Sequence, residues 1–310
     1  MAWRMRVVEL AAWIAVDWGT SNLRAWGMSD TGDPLFERVS DKGMAKLAPD
    51  AFGPVLSELL GDAVPEGRTL KTLICGMAGA RQGWLEAPYL DAPADLSALG
   101  RAAVMPEIAD SRFAPRILPG VCQRGLGQED VMRGEETQLL GLSTLQPGYS
   151  GVVVLPGTHS KWAVLEGHQL VRFSTAMTGE IYEALGSHTV LRHSLKDAGI
   201  GPERDEGVDA GIAAGLEAPE RLAGMIFKVR AAALLSGRSA DWCAGYLSGL
   251  LIGAEIGAHR HWIGSAPIPI IGGSTLSALY ARALGMTGAE CVPVDVRTAT
   301  LAGLSAAAQH

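Results

Sequence analysis

Residues 14–26 read IAVDWGTSNLRAW. The run Trp13–Asp17 has the length and composition of a short buried strand, and Leu23–Met28 reads as its hairpin partner. Between them lies the small-residue turn Trp18-Gly19-Thr20-Ser21-Asn22. A second turn at Asp30–Pro34 leads into Leu35–Val39, which gives a three-stranded meander. The pattern returns later in the chain. Val152–Leu155 is an apolar run, Pro156-Gly157-Thr158-His159-Ser160 a turn, Lys161–Leu165 the return strand, and Gln169–Phe173 a third strand after Gly167-His168. Laid without gaps, Gly19-Thr20 falls on Gly157-Thr158, Asn22 on Ser160 and Ala25 on Ala163. An internal repeat of this kind predicts two similar domains rather than a solenoid.

Around the meanders the chain alternates. Leu70–Cys75 reads as a strand ending in the glycine-rich turn Gly76–Gly79. Residues 129–142 read as a loop feeding a helix. Helices are expected at 179–195, 209–216, 219–235, 240–259, 276–284 and 298–308, with a strand at Ile268–Ile271 before Gly272-Gly273-Ser274. Strands mixed with helices predict α/β layers.

Composition sets limits on the whole. A chain of 310 residues, 48% hydrophobic and 19% charged, has ample material for folded cores. Its net charge of −7 lacks the basic footprint of a nucleic-acid binder. Glycine, at 39 residues, is well above ordinary usage, which marks tight turns and close backbone approach to ligands. The cysteines, Cys75, Cys122, Cys243 and Cys291, form no CxxC pair, so reduced thiols in the cytoplasm are expected rather than disulfides or a metal framework. The start MAWRMRVVELAAWIAVDWG has the basic-then-apolar order of a signal peptide, but Glu9 and Asp17 interrupt it and no cleavage pattern follows. No apolar run reaches membrane-spanning length.

The two glycine-bearing hairpin turns could clamp a phosphate chain through backbone N–H groups, with Thr and Ser hydroxyls as further donors. Asp17 ends an apolar strand, where an unpaired carboxylate is costly; a bound Mg²⁺, or a cap on its own turn, would explain it. No Walker sequence is present. Gly272-Gly273-Ser274 suits either a surface beneath an adenine or a plain helix start. The doublet Glu135-Glu136 after Arg133-Gly134 could supply a general base, or simply complement a helix dipole. Arg24, His159 and Lys161 flank the turns and could neutralise phosphate charge. Arg81, Arg124 and Arg133 could hold a carboxylate. Trp3, Trp13, Trp18, Trp26, Trp84, Trp162, Trp242 and Trp262 read first as packing residues.

Together these motifs carry a resemblance. IAVDWGTSNLRAW (14–26), LPGTHSKWAVLEG (155–167) and IIGGSTL (270–276) are similar to the two phosphate motifs and the adenosine motif of the actin–hexokinase–Hsp70 ATPase superfamily. ICGMAGARQGWLEAPYL (74–90), DVMRGEETQLLGL (130–142) and LPGTHSKW with FSTAMTGEIYEALGSHTVL (173–191) resemble the 2-dehydro-3-deoxygalactonokinases.

The resemblance implies an α/β fold of two ribonuclease-H-like domains around a central cleft. The first would span 1–147 and the second 148–295, with a helix over 296–310 returning to the first. It implies ATP- and Mg²⁺-dependent phosphorylation of 2-dehydro-3-deoxy-D-galactonate at its 6-hydroxyl. It places Asp17 at the metal. Gly19, Thr20, Ser21 and Asn22 would line one phosphate loop, with Gly157, Thr158, His159, Ser160 and Lys161 in the other. Gly272, Gly273 and Ser274 would meet adenosine. Glu136 is the favoured base, with Glu135 its competitor. Arg24, Arg81, Gln82, Trp84, Arg124 and Arg133 are candidate sugar-acid contacts. The second loop departs from the first, having Leu155 where the first has Asp17. The gluconate epimer as substrate, a phosphohydrolase and a non-catalytic ATPase-fold module stand as alternatives. A homodimer would be ordinary for an enzyme of this size.

Overall fold

A computed structural model describes residues 11–309 of the chain. The signal-like start and Trp3 lie outside the described residues. The chain divides into two compact units. The first runs to Tyr149 and takes back Glu166–Val171 and the stretch from Arg297; the second comprises Ser150–Leu165 and Arg172–Val296.

In the first unit, β1 (Trp13–Trp18), β2 (Leu23–Met28) and β3 (Pro34–Ser40) form the expected meander. After helix α1 (Phe52–Leu60) comes β4 (Leu70–Gly76), parallel to β1. Next follow β5 (Tyr89–Asp91), β6 (Ala94–Asp95) and β7 (Phe113–Ile117), the last parallel to β4. The main sheet therefore runs β3-β2-β1-β4-β7. A smaller sheet joins β5, β8 (Gly120–Gln123) and β9 (Asp130–Met132). Trp18, Phe52, Leu56 and Ile74 fill the core between α1 and the main sheet.

Helix α2 (Glu135–Leu145) closes this part of the chain, and the C-terminal helix Val296–Ala308 packs on it. That seam has no room for side chains: a Cβ on Gly141 would strike the Ala299 carbonyl, and one on Gly303 the Thr137 carbonyl.

The second unit repeats the order. β10 (Ser150–Leu155), β11 (Ser160–Glu166) and β12 (Gln169–Ala176) are followed in the sheet by β13 (Ile268–Gly272), parallel to β10, and β14 (Cys291–Asp295), parallel to β13. Within this sheet the order β12-β11-β10-β13-β14 matches the first unit's main sheet, and β6 pairs with the opening residues of β12. Each unit is thus a ribonuclease-H-like α/β layer, the expected fold class.

Its helices are α3 (Thr178–His188), α4 (Arg192–Leu195), α5 (Pro202–Glu217), α6 (Leu222–Leu235), α7 (Ala240–Ala258) and α8 (Ser274–Gly285). Helices α5 and α7 meet backbone to backbone: Gly207, Gly211 and Gly215 face Gly245, Gly249 and Gly253, with no space for a Cβ at any of the six. Much of the glycine excess therefore serves helix seams rather than ligand loops.

The sequence reading differs from the structure in places with physical causes. The single helix expected at 179–195 breaks where Thr189 turns extended. Helix α5 starts at Pro202, earlier than expected, because proline suits a first helical turn. Strands β7 and β14 went unread because each contains a proline, Pro115 and Pro293. Both are edge strands, where proline is tolerated.

Candidate active site

The first unit gathers its chemistry where β1 and β4 end and α2 begins. Gly76 ends β4 at φ +88°, and a Cβ there would lie 2.7 Å from the Trp18 carbonyl oxygen. Gly134 precedes α2 at φ +109°, and a Cβ there would lie 3.4 Å from the Gly76 Cα. Only glycine holds these conformations without strain, and the two let α2 start against the end of the sheet.

Asp17 is half-buried at that sheet end, paired across the hairpin with Arg24. Burial raises its pKa, as does the negative charge of Glu135. The Arg24 charge and the Cys75 thiol, whose Sγ lies 3.9 Å from Oδ1, act against that. A carboxylate made costly in this way suits a cation. Mg²⁺ characteristically takes one or two protein carboxylates and completes its shell with water and substrate phosphates. One half-buried carboxylate, Asp17, beside the exposed turn that follows it fits that habit.

The neighbouring turn Gly19-Thr20-Ser21-Asn22 is exposed beyond the half-buried Gly19. It is braced from behind. The Gly19 and Thr20 carbonyls accept from the backbone N–H groups of Met44 and Ala45, each at 3.0 Å.

The glutamates at the start of α2 divide. Glu136 is wholly buried. Its Oε2 accepts from the Gly134 N–H at 2.7 Å and its Oε1 from the Thr137 hydroxyl at 3.2 Å. Burial, then the negative charge of Glu135, pushes its pKa up to about 7. Glu135 is half-buried, and its Oε2 accepts from the Arg133 N–H at 3.1 Å. Both side chains fold back onto N–H groups ahead of the helix, as capping carboxylates do. Only Glu135 also reaches solvent.

The candidate sugar-acid contacts are dispersed within this unit. Arg81 and Gln82 are exposed. Trp84 stacks on Phe52 at 6.1 Å and meets Trp18 edge-on, so it is chiefly a wall of the core. Arg124 is exposed and engaged with Asp91 at 2.5 Å. The Arg133 guanidinium lies over the Tyr89 ring at 4.4 Å and donates from Nη2 to the Ala87 carbonyl; its Nε and Nη1 are buried and lack a hydrogen-bond partner.

The second unit sets its turn Gly157-Thr158-His159 and the junction Gly272-Gly273-Ser274 at the carboxyl ends of adjacent parallel strands, β10 and β13. This is where open α/β sheets bind ligands. The two segments touch: a Cβ on Gly272 would lie 3.4 Å from the Pro156 ring. The first turn of α3 abuts the same loop. A Cβ on Gly179 would lie 2.6 Å from the Gly157 oxygen, and the Glu180 N–H donates to the Thr158 carbonyl at 3.1 Å. His159 Nε2 pairs with Glu180 Oε2 at 2.5 Å.

A cavity of about 190 Å³ opens beside these segments, lined by Gly157, Thr178, Tyr182, Arg204, Leu276 and Tyr280 among others. Sequence reasoning identified Gly157 and the helix start at Leu276, but not Tyr182, Arg204 or Tyr280.

One assignment needs correction here: the sequence places Ser160 in the turn, yet β11 begins at Ser160, which is buried. Lys161 lies in β11, on the strand that the sequence predicts, and is buried, with its Nζ 3.5 Å from the His159 carbonyl. The Ser160 hydroxyl lies 2.7 Å from the Tyr280 hydroxyl, behind the loop rather than at its surface.

Comparison with known proteins gives a consistent answer. A family model described as 2-keto-3-deoxy-galactonokinase matches residues 17–307. A Rhizobium meliloti protein named "probable 2-dehydro-3-deoxygalactonokinase" is 41% identical over 297 residues, covering 95% of this chain and 96% of that one. The 2-dehydro-3-deoxygalactonokinase of Escherichia coli is 37% identical over 298 residues, with the same coverage. A crystal structure of a Sinorhizobium meliloti protein assigned to that activity superposes with a TM-score of 0.89 at 41% identity, covering 96% of this chain and 98% of that one.

Proposed function

The chain belongs to the 2-keto-3-deoxy-galactonokinase family, and from that premise we propose that it transfers the γ-phosphoryl group of ATP to the 6-hydroxyl of 2-dehydro-3-deoxy-D-galactonate, a cytoplasmic step of galactonate breakdown. The observation that carries the nucleotide assignment is the second unit's cavity, where Gly157 of the phosphate turn and Leu276 of the strand–helix junction line one space of about 190 Å³. Purine between α3 and α8, with phosphates running to Gly157-Thr158-His159, uses both motifs at once. The exposed N–H groups and the Thr158 hydroxyl supply donors suited to an anion.

In the first unit, Gly19-Thr20-Ser21-Asn22 supports the transferring phosphate, and Arg24 adds positive charge to it. Asp17 would hold Mg²⁺, which would supply neutralisation of the charge on the transferred group. Glu135 takes the proton of the acceptor hydroxyl, since its carboxylate is the one of the pair with access to solvent. Glu136 sits behind it as the cap of α2. Arg133, with two guanidinium nitrogens lacking partners, supplies positive charge for the sugar acid's carboxylate, and Arg81 and Gln82 lie on the exposed stretch that follows the end of β4.

Phosphorus NMR of the product tests the reading. A phosphomonoester coupled to the C6 methylene protons is the expected product. Inorganic phosphate formed equally without sugar acid would replace the kinase with a phosphohydrolase.

A further inference from the structure

Glu255 is a carboxylate set in the apolar run GLLIGAEIGA of α7, and it is 6% exposed. Nothing in the reaction above employs it. An ionised group in such a place is expensive unless fully hydrogen-bonded, and this one is. Its Oε1 accepts from the Trp162 indole N–H at 2.8 Å. Its Oε2 accepts from the Tyr280 hydroxyl at 2.6 Å and from the Thr178 hydroxyl. The Tyr280 proton being committed to Glu255, the Ser160 hydroxyl donates to the Tyr280 oxygen at 2.7 Å. Burial raises the Glu255 pKa, and the hydrogen bonds from Thr178, Tyr280 and Trp162 work against that.

The donors come from three separate elements, and each adjoins a part of the proposed nucleotide site. Ser160 and Trp162 stand on β11, the strand that leaves the phosphate turn. Thr178 opens α3 and is followed by Gly179, the residue pressed against Gly157 and Thr158. Tyr280 stands on α8, which begins at the Gly272-Gly273-Ser274 junction. Thr178 and Tyr280 also line the cavity, with Glu255 behind them. A buried charge of this sort adds little net stability compared with apolar residues of the same volume. What it fixes is the mutual register of the elements that donate to it.

We propose that Glu255 is a positioning residue of the nucleotide site, tying the strand after the phosphate turn, the start of α3 and the adenosine-side helix α8 into one preformed surface. The proposal rests on the reading that the second unit binds ATP. It makes Glu255 responsible for nucleotide affinity without contact with the nucleotide.

The test is ADP binding in the presence of Mg²⁺, by calorimetry on the full chain, beside steady-state kinetics. Glu255→Gln keeps the volume but turns one of its two acceptors into a donor facing donors. Tyr280→Phe keeps the ring and removes one link. Each variant is expected to weaken ADP at least fivefold and raise the ATP KM to match, while the sugar-acid KM at saturating ATP moves less than twofold. The double variant should be no weaker than the weaker-binding single, because both break one network. Tyr280→Phe also carries the test if Glu255→Gln does not fold. Folded variants that bind ADP like the wild type overturn the proposal. So does a loss of active protein with every KM unchanged, which is what a purely structural role would give. A wild-type protein that binds no ADP overturns the nucleotide reading itself, and this inference with it.

Discussion

Glu136 offers a prediction whose sign and size both follow from its surroundings. In the unfolded chain its carboxyl releases a proton near the ordinary value of 4.5; in the folded chain it holds the proton up to about 7. Between those values the folded state binds the extra proton, so raising the pH favours unfolding. The contribution is absent below the lower value and complete above the higher one. At about 1.4 kcal/mol per pH unit, that gap costs the folded protein about 3 kcal/mol by pH 8.5. Glutamine cannot ionise, yet its amide oxygen can still accept from the Gly134 N–H and its nitrogen can donate to Thr137.

Urea unfolding of wild type and Glu136→Gln, without Mg²⁺ or nucleotide, should therefore give similar stabilities at pH 4.5. The variant should become the more stable by up to about 3 kcal/mol at pH 8.5. Curves that stay parallel across this range would refute the reasoning. They would mean that the buried carboxylate is held ionised by the start of α2 as comfortably as by water.

Four further outcomes follow from the geometry. Asp17→Asn should lower kcat on the order of 10²–10³-fold while unfolding at an unchanged or higher temperature, since it removes a carboxylate that burial disfavours; circular dichroism melts beside kinetics check both halves. Glu135→Gln should lower kcat roughly 10²–10⁴-fold with little change in ATP affinity, and Glu136→Gln much less. Gly179→Ala places a methyl 2.6 Å from the Gly157 oxygen, with backbone on both sides that has nowhere to go; at about 1–3 kcal/mol for overpacking, the ATP KM should rise roughly 5- to 150-fold with the sugar-acid KM unmoved. Gly249→Ala drives a Cβ into the Val208 carbonyl across the α5–α7 seam and should cost about 1–3 kcal/mol in a denaturant titration.

Much of this architecture was legible in the sequence, and particular residues explain where it was not. The alternation around Gly19-Thr20 and Gly157-Thr158 gave both meanders and their relation, because hairpin turns and short buried strands are local signals. The edge strands at Phe113–Ile117 and Cys291–Asp295 were hidden by their prolines. Helix α1, with Gly53 and Pro54 in its first turn, was hidden for the same kind of reason. The repeat aligns Ser160 with Asn22, a turn residue, but the second turn, as long as the first, sits one position earlier in the alignment, so β11 has already begun at Ser160.

The carboxylates at the start of α2 could be found by their spacing. Which of them faces solvent could not, because burial is a property of what packs over the helix. Glu255 and Tyr280 lie far apart in the chain, and only the packing of α7 against β11 and α8 brings them together. A lone glutamate inside GLLIGAEIGA was the one local hint.

The measurement that tests the central claim most directly is ADP release by the purified protein with ATP and Mg²⁺. It would be run with 2-dehydro-3-deoxy-D-galactonate, with its gluconate epimer and with no acceptor. Turnover that depends on the galactonate compound and exceeds that with the epimer is the predicted result. ADP release at the same rate in all three, or in none, would contradict it.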